Sequence, residues 1–147
     1  MKFTTTIIAL ALAASTGAVQ LRFDNTYDNA SGSMNTVACS TGANGLSQRF
    51  PTFGSVPTFP HIGASSDIGG FNSPACGNCK GFCFTGYTIS FTFQGVTRSI
   101  NLVAIDHAGN GFNVAQAAMD ELTNGNAVAL GTIDVQSQQV ARSVCGL

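Results

Sequence analysis

Three of the five cysteines in the chain lie close together in the segment NSPACGNCKGFCFTG. Cys76 and Cys79 are separated by two residues, which is the spacing of redox dithiols and of half a structural zinc site. The sequence contains no second pair of this kind, and His61 and His107 stand alone. In an exported chain, which the N-terminus indicates, cysteines favour structural disulfides, so we expect no metal and no other cofactor.

Acidic side chains are the other groups that could do chemistry. Asp106 follows the apolar run INLVAI (Ile100–Ile105), so it should emerge where a buried strand ends at the surface. Hydrolysis of a glycosidic bond needs a second carboxyl group roughly 5 to 9.5 Å away. The other candidate acids are Asp24, Asp28, Asp67, Asp120, Glu121 and Asp134. None stands in a pattern typical of a catalytic base, although the sequence does not decide whether Asp28 or Asp67 approaches Asp106.

Short strands must position these groups. Thr88–Phe93 (TISFTF) alternates like a half-buried strand, and Ile100–Ile105 is apolar enough for a central strand. Leu21–Tyr27 and Ile133–Ser137 are two further strand candidates. The stretch from 29 to 70 is rich in Gly, Pro, Asn and Ser, which predicts ordered loops with short elements. Strands spaced by turns predict a small β-barrel with helical decoration.

One helix is predicted over the segment NVAQAAMDEL, residues 113–122. Asn113 is in position to cap it, and Gln116 completes a capping-box pattern. Four residues should form its buried face, namely Ala115, Ala118, Met119 and Leu122. Asp120 and Glu121 should then face water, and Asn124 with Gly125 should end the helix.

The N-terminus predicts export. Lys2 is followed by the apolar segment IIALALAA and by small residues through Ala18, which is the pattern of a signal peptide. We expect residues 1–18 to be removed and residues 19–147 to form one secreted, extracellular domain without a membrane span. Charged residues make up only 9% of the chain, and the basic ones are scattered. This distribution disfavours nucleic-acid binding and suits sugars or interfaces.

Four stretches together resemble the cerato-platanin family of small secreted fungal proteins. They are TYDNASGSMNTVACS, FPTFGSVPTFPHIG, GFNSPACGNC and SINLVAIDHAGNGFNVAQAAMDEL, and their order and spacing extend over almost the whole expected mature chain. The resemblance implies a mainly β fold with short helices, a six-stranded double-psi β-barrel related to the first domain of expansins. It also implies chitin-oligomer binding, loosening of cellulosic material without hydrolysis, adsorption at interfaces and perception by plants as an elicitor or virulence effector.

The same resemblance implies two disulfides, Cys39 with Cys76 and Cys79 with Cys145. Cys83 is then left unpaired. It lies in KGFCFTG (residues 80–86), which interrupts the family pattern and looks like an insertion of seven residues. We interpret this segment as a surface bulge or as an alternative splice boundary, with Cys83 a free thiol, a dimer link or a competitor for Cys79.

A carbohydrate site is implied at residues that match the family or that suit sugar binding: Tyr27, Asp28, Asn29, Phe71, Asn72, Asp106, His107 and Asn113. Asp106 matches an acidic residue shared with expansins; the alternative is that it only anchors the turn before the helix. Phe71 is equally consistent with a place in the core. His107 is more typical of a turn residue, and Asn29 begins an N-glycosylation sequon (Asn-Ala-Ser).

Two functional hypotheses follow. The first is a module that binds chitin or other wall oligosaccharides through Asp106 and does not cut them. The second is a surface-active, self-assembling wall protein or effector that a plant surface receptor perceives, with no specific glycan site. A weak glycoside hydrolase is less favoured than either.

Overall fold

The computed structural model describes residues 17–76 and 85–147. Six strands form the framework: β1 (Val19–Phe23), β2 (Ile62–Ser65), β3 (Thr85–Phe93), β4 (Val96–His107), β5 (Phe112–Val114) and β6 (Thr132–Val140). Two α-helices, α1 (Gln116–Thr123) and α2 (Ala127–Leu130), connect β5 to β6. The loops carry short 3₁₀ helices at Asn25–Asp28, Met34–Thr36, Phe53–Ser55, Pro74–Cys76 and Arg142–Cys145.

The strands close into a barrel in the order β1-β5-β2-β4-β3-β6, with β6 pairing back to β1. Two of the pairings, β1 with β5 and β2 with β4, are parallel, and both join strands that are far apart in the chain. The other neighbours are antiparallel. The predicted closed six-stranded barrel with short helices is confirmed, and closure leaves no open edge around the ring.

Strand predictions were confirmed where a local pattern defined them. The alternating TISFTF segment lies in β3, and the INLVAI run forms the buried centre of β4. Ile133 lies in β6, which extends to Val140 and so exceeds the predicted segment. The first predicted strand was too long, because β1 ends at Phe23 and residues Asn25–Asp28 form a 3₁₀ turn.

The helix begins three residues later than predicted. Asn113 was wrong as its cap, because this residue lies within β5, paired with Arg22 of β1. The residue that precedes the helix, Ala115, has no side chain able to cap. The predicted end is confirmed, since Asn124 takes the left-handed conformation after the last helical residue.

Buried apolar side chains of the barrel and of α1 form one core. The predicted buried face of the helix is confirmed, because Ala115, Ala118, Met119 and Leu122 are fully buried. Asp120 was wrong as a water-facing residue: it is half-buried, and its carboxylate accepts hydrogen bonds from Ala127 N at 2.9 Å and from the Gln116 side chain at 3.2 Å. Glu121 is exposed, as predicted.

One of the two expected disulfides lies within the described residues. Cys39 and Cys76 are bonded and fully buried, joining the first loop to the segment before β3. Cys145 is also buried. Its expected partner Cys79 lies outside the described residues, as does Cys83.

The other N-terminal and insertion predictions fall mostly outside the described part of the chain. Residues 1–16 of the expected signal peptide and residues 80–84 of the apparent insertion are not described. The last two insertion residues, Thr85 and Gly86, pair with Ala104 and Val103 as part of β3, so their backbone is not a surface bulge. None of the described helices has the length and apolar character that crossing a bilayer requires.

Candidate functional site

Asp106 lies at the end of β4 and joins that strand to the first loop. Its Oδ2 accepts a hydrogen bond from the Tyr27 hydroxyl at 2.9 Å. Its Oδ1 accepts from the Ala38 backbone N–H at 2.9 Å and from the His107 N–H at 2.8 Å. The bond to His107 is local, as the turn-anchoring alternative expects. The bonds to Tyr27 and Ala38 show that Asp106 also holds a distant part of the chain.

Tyr27 is one of the residues of the predicted carbohydrate site, and the structure places it in the core. Its side chain is only 5% exposed, and its ring packs against Phe53 with centroids 6.1 Å apart. Burial raises the pKa of the Tyr27 hydroxyl far above its usual value, and the neighbouring Asp106 carboxylate raises it further. Tyr27 therefore stays a neutral donor that orients Asp106, and its ring face is covered by protein.

Asn72 is connected to Asp106 through the backbone of Ala38, and Phe71 precedes Asn72 in the chain. The Asn72 N–H donates to the Ala38 carbonyl at 3.0 Å, and the N–H of Ala38 donates to Asp106. The Asn72 side chain holds the neighbouring loop, because its Oδ1 accepts from Asn44 N at 2.9 Å. Phe71 is 68% exposed, so it is not a core residue. Because Phe71 precedes Asn72, an exposed aromatic ring and the half-buried Asp106 carboxylate are linked by hydrogen bonds through Ala38, and we call these residues the Asp106 surface.

A second carboxylate, Asp67, is engaged elsewhere. It accepts a hydrogen bond from the Tyr87 hydroxyl at 2.5 Å, and Ser65 also donates to that hydroxyl at 3.3 Å. The Tyr87 ring packs edge-on against Phe112 at 4.9 Å. Asp67 and Asp28 are each hydrogen-bonded to other groups of the fold, Asp67 to Tyr87 and Asp28 to the start of helix α1.

His107 and Asn113 come together in a groove on the other side of the β4 end. Successive side chains of a strand point in opposite directions, so Asp106 and His107 leave β4 on different sides. The groove has a volume of about 610 Å³ and is lined by residues of β1, β5 and the β4–β5 connection: Arg22, Phe23, His107, Ala108, Gly109, Asn110 and Asn113. His107 is fixed there by a short hydrogen bond between its Nδ1 and the Ile68 carbonyl. We call this depression the Arg22 groove.

The remaining predicted residues, Asp28 and Asn29, line neither surface. The Asp28 carboxylate accepts from the N–H groups of Gln116 at 2.8 Å and Ala117 at 3.0 Å, which are the first two of helix α1. Asn29 is exposed, and its Oδ1 accepts from Ser31 N at 3.1 Å within the sequon. The predicted residues therefore divide into the Asp106 surface, the Arg22 groove and a helix cap.

A shallower cavity of about 470 Å³ lies elsewhere, between the start of β2 and the C-terminal segment. His61 and Glu121 both line it, and their side chains are hydrogen-bonded, with Nε2 and Oε2 2.7 Å apart. His61 therefore does not stand alone in space as it does in the sequence. The described residues contain no cluster of three or more side chains able to hold a metal ion.

Sequence reasoning missed Arg22, Phe23 and Asn110 as groove residues. Arg22 lies on β1, and it reaches the β4–β5 connection only because β1 is the neighbour of β5 in the barrel. The available signal was the alternation of the segment VQLRF, in which Leu21 is buried and Arg22 exposed.

Comparisons with known proteins agree with this architecture. The family model described as Cerato-platanin matches residues 19–147. The crystal structure of cerato-platanin 2 from M. perniciosa is 93% identical and covers 89% of this chain and 100% of its own, with a TM-score of 0.83. The solution structure of the fungal elicitor Cerato-Platanin is 38% identical, covers 86% and 96%, and has a TM-score of 0.72. Allergen Asp f 15 from Aspergillus fumigatus is 43% identical over 99% of this chain and 97% of its own.

Proposed function

The chain belongs to the cerato-platanin family of secreted fungal proteins, and from that premise we propose that it binds chitin or related wall oligosaccharides at the Asp106 surface without cutting them. The observation that carries this proposal is the hydrogen-bond chain from the fixed carboxylate of Asp106 through Ala38 to the backbone of Asn72, which directly follows the exposed Phe71. A sugar ring offers hydroxyl groups to a carboxylate and a C–H face to an aromatic ring.

The geometry supports binding at Asp106 because its carboxylate is oriented before a ligand arrives. Three protein donors hold it. A carboxylate offers about four lone-pair sites, so capacity remains for a sugar hydroxyl. Binding of this kind weakens contacts between wall polymers by competing for their hydroxyl groups, which is a route to loosening that needs no bond cleavage.

The absence of hydrolysis is part of the proposal. Asp28 caps helix α1 with both carboxylate oxygens, and Asp67 accepts from Tyr87. The two acids that the sequence left as possible partners of Asp106 are therefore already engaged in holding the fold. Purified protein should therefore release no reducing ends from chitin or cellulose at any dose, and release that scales with protein dose would overturn this part.

The binding test is a titration with N-acetylglucosamine oligomers, followed residue by residue in NMR spectra. Asp106→Ala is a poor variant, because it also leaves the Tyr27 hydroxyl and the Ala38 N–H without a hydrogen-bond acceptor. Asp106→Asn keeps the shape and an acceptor for Ala38, and we expect it to weaken binding about tenfold or more, the usual cost of losing a hydrogen bond to a charged acceptor.

The matched control is Asp134→Asn, which removes one exposed carboxylate from β6. It should leave the affinity unchanged. Equal affinities of the wild type and the Asp106 variant, or shifts clustered away from Asp106, would refute the assignment of the site.

A second candidate function, adsorption at interfaces, is favoured by five exposed large apolar side chains among the described residues. They are Phe71, Val128, Val96, Val144 and Leu130, which are 68%, 67%, 50%, 47% and 37% exposed. Film formation at an air-water surface should fall in a Val128→Ser variant and stay unchanged in Asp106→Asn. Similarity to the fungal elicitor Cerato-Platanin also suggests that plants perceive this chain. The plant response should be lost in either Val128→Ser or Asp106→Asn, and the variant that loses it identifies the surface on which perception depends.

A further inference from the structure

The Arg22 groove differs in charge from the Asp106 surface. Its lining includes one guanidinium group, and none of its described lining residues is acidic. The volume of about 610 Å³ lies within the range of roughly 300 to 1,000 Å³ that is typical of small-ligand sites. A groove of this kind suits a ligand that carries a negative charge.

Arg22 has no acidic partner among residues 17–76 and 85–147. Its Nη2 donates to the Gln20 side-chain oxygen at 2.7 Å, a neutral contact on the same strand. Asp134 faces Gln20 across the β1–β6 pairing but forms no ion pair with Arg22. A guanidinium carries five N–H donors in a planar fork, so the contact with Gln20 orients the group and leaves donors for a ligand.

The other groove residues are neutral and polar, or apolar. The Ile68 carbonyl can only accept a hydrogen bond, so His107 Nδ1 carries its proton, and in the neutral ring Nε2 remains an acceptor. Asn110 and Asn113 add amide groups, and Phe23 adds an aromatic ring. These groups match the hydroxyls and the C–H face of a sugar better than they match a densely charged polymer.

We propose that the Arg22 groove binds a uronic acid unit of an acidic wall polysaccharide, with the carboxylate of the sugar on the guanidinium of Arg22. The sugar hydroxyls meet His107, Asn110 and Asn113, and one face of the ring lies against Phe23. A single guanidinium matches a polymer with one carboxylate per sugar. Nucleic acids, by contrast, require several cations along a stripe, whereas basic residues in this chain are few and scattered. The groove is separate from the Asp106 surface, so the protein can hold a neutral and an acidic glycan together.

The test compares two ligands that differ only at the carboxyl group, a short oligogalacturonate and its methyl ester. We expect the free acid to bind the wild-type protein about tenfold more tightly than the ester, since a guanidinium–carboxylate contact is lost in the ester. In NMR spectra the shifts should cluster at Arg22, His107 and Asn113. Equal affinity for acid and ester would overturn the proposal, and this comparison needs no variant.

Two variants then test whether Arg22 is the positive charge that recognises the carboxylate. Arg22→Gln should remove the preference for the acid, whereas Arg49→Gln, which removes the same charge from an exposed side chain over Phe50, should keep it. Equal losses in both variants would mean that only net charge matters and would refute the site. The chitin titration is independent: binding of oligogalacturonate without chitin would refute the Asp106 proposal alone, and the reverse result would refute this one alone.

Discussion

Asp28 offers the sharpest test of the structural reasoning, because it caps helix α1 from a distant part of the chain. The first N–H groups of a helix have no partner within the helix. In α1 those of Gln116 and Ala117 donate to the two carboxylate oxygens of Asp28, at 2.8 and 3.0 Å, while the adjacent residue Ala115 supplies no side-chain cap. An Asp28→Ala substitution therefore removes the only side-chain cap described at this end.

The size of the effect follows from these two bonds. Loss of a helix cap costs about 0.5 to 2 kcal/mol, and a carboxylate at a helix N-terminus adds roughly 0.3 to 1 kcal/mol through the helix dipole. Asp28 is half-buried, so water can replace part of the loss. We expect Asp28→Ala to lower the free energy of unfolding by about 2 kcal/mol. For a domain of residues 19–147 this corresponds to a fall in Tm of roughly 7 °C.

Urea denaturation and a thermal melt followed by circular dichroism provide the measurement. Asp28→Asn keeps one acceptor without the charge and should lose about half as much stability. Asp134→Ala, which removes an exposed carboxylate from β6, is the control and should change stability by less than about 0.5 kcal/mol. A change as small in Asp28→Ala as in the control would refute the capping role and would make Asp28 a candidate binding group again.

Three further predictions follow. Gly111→Ala should lower the free energy of unfolding, measured by urea denaturation, by about 3 kcal/mol or more, because φ is +61° and the new Cβ would lie 2.1 Å from the Gln20 carbonyl oxygen. The control is Gly109→Ala, whose Cβ would meet nothing within 4 Å and which should leave stability nearly unchanged. The pKa of the Tyr27 hydroxyl is raised in the folded chain, so above about pH 10 this hydroxyl ionises in the unfolded chain and stays protonated in the folded one. Its contribution to the free energy of unfolding is therefore complete below about pH 10 and falls by about 1.4 kcal/mol per pH unit above it. A Tyr27→Phe variant should lack this part of the alkaline loss in denaturation curves recorded from pH 8 to 11. Replacing Cys39 and Cys76 together by alanine should lower the free energy of unfolding by about 4 kcal/mol, because the disulfide closes a long loop and so restricts the unfolded chain. An unchanged denaturation midpoint would contradict a structural role for this disulfide.

The parts of the fold that were predictable are those set by local burial patterns. Alternation along TISFTF and the apolar INLVAI run determine which faces are buried, and both became strands. Strand β2 was not predicted because its segment, IGAS, is short, buried at every position and free of alternation. Strand β2 forms because it pairs with β4 and β5 in the barrel. Its Gly63 lies so close to β5 that an added Cβ would be 2.5 Å from the Asn113 carbonyl oxygen.

Only some of the residues at the candidate surfaces were named from the sequence, and their grouping was not predicted. His107 and Asn113 flank one short connection, so their shared groove follows from sequence proximity. Arg22 joins them through the β1–β5 pairing, and Asp106 meets Tyr27 through a contact that spans 79 positions. Such contacts depend on how distant strands pair, and no local pattern records this. The same limit explains why the helix start was misplaced, since its cap lies 88 positions away.

The pairing of β1 with β5 and β6 has a consequence for biogenesis. The first strand of the domain is synthesised early, but its neighbours at 112–114 and 132–135 are synthesised much later. The ring can therefore close only after residue 135 has been synthesised, and until then the backbone N–H and C=O groups of β1 are open to pairing with another chain. Long-range pairing of this kind slows folding. The protein should consequently fold more slowly than a barrel of the same size that is closed by local hairpins.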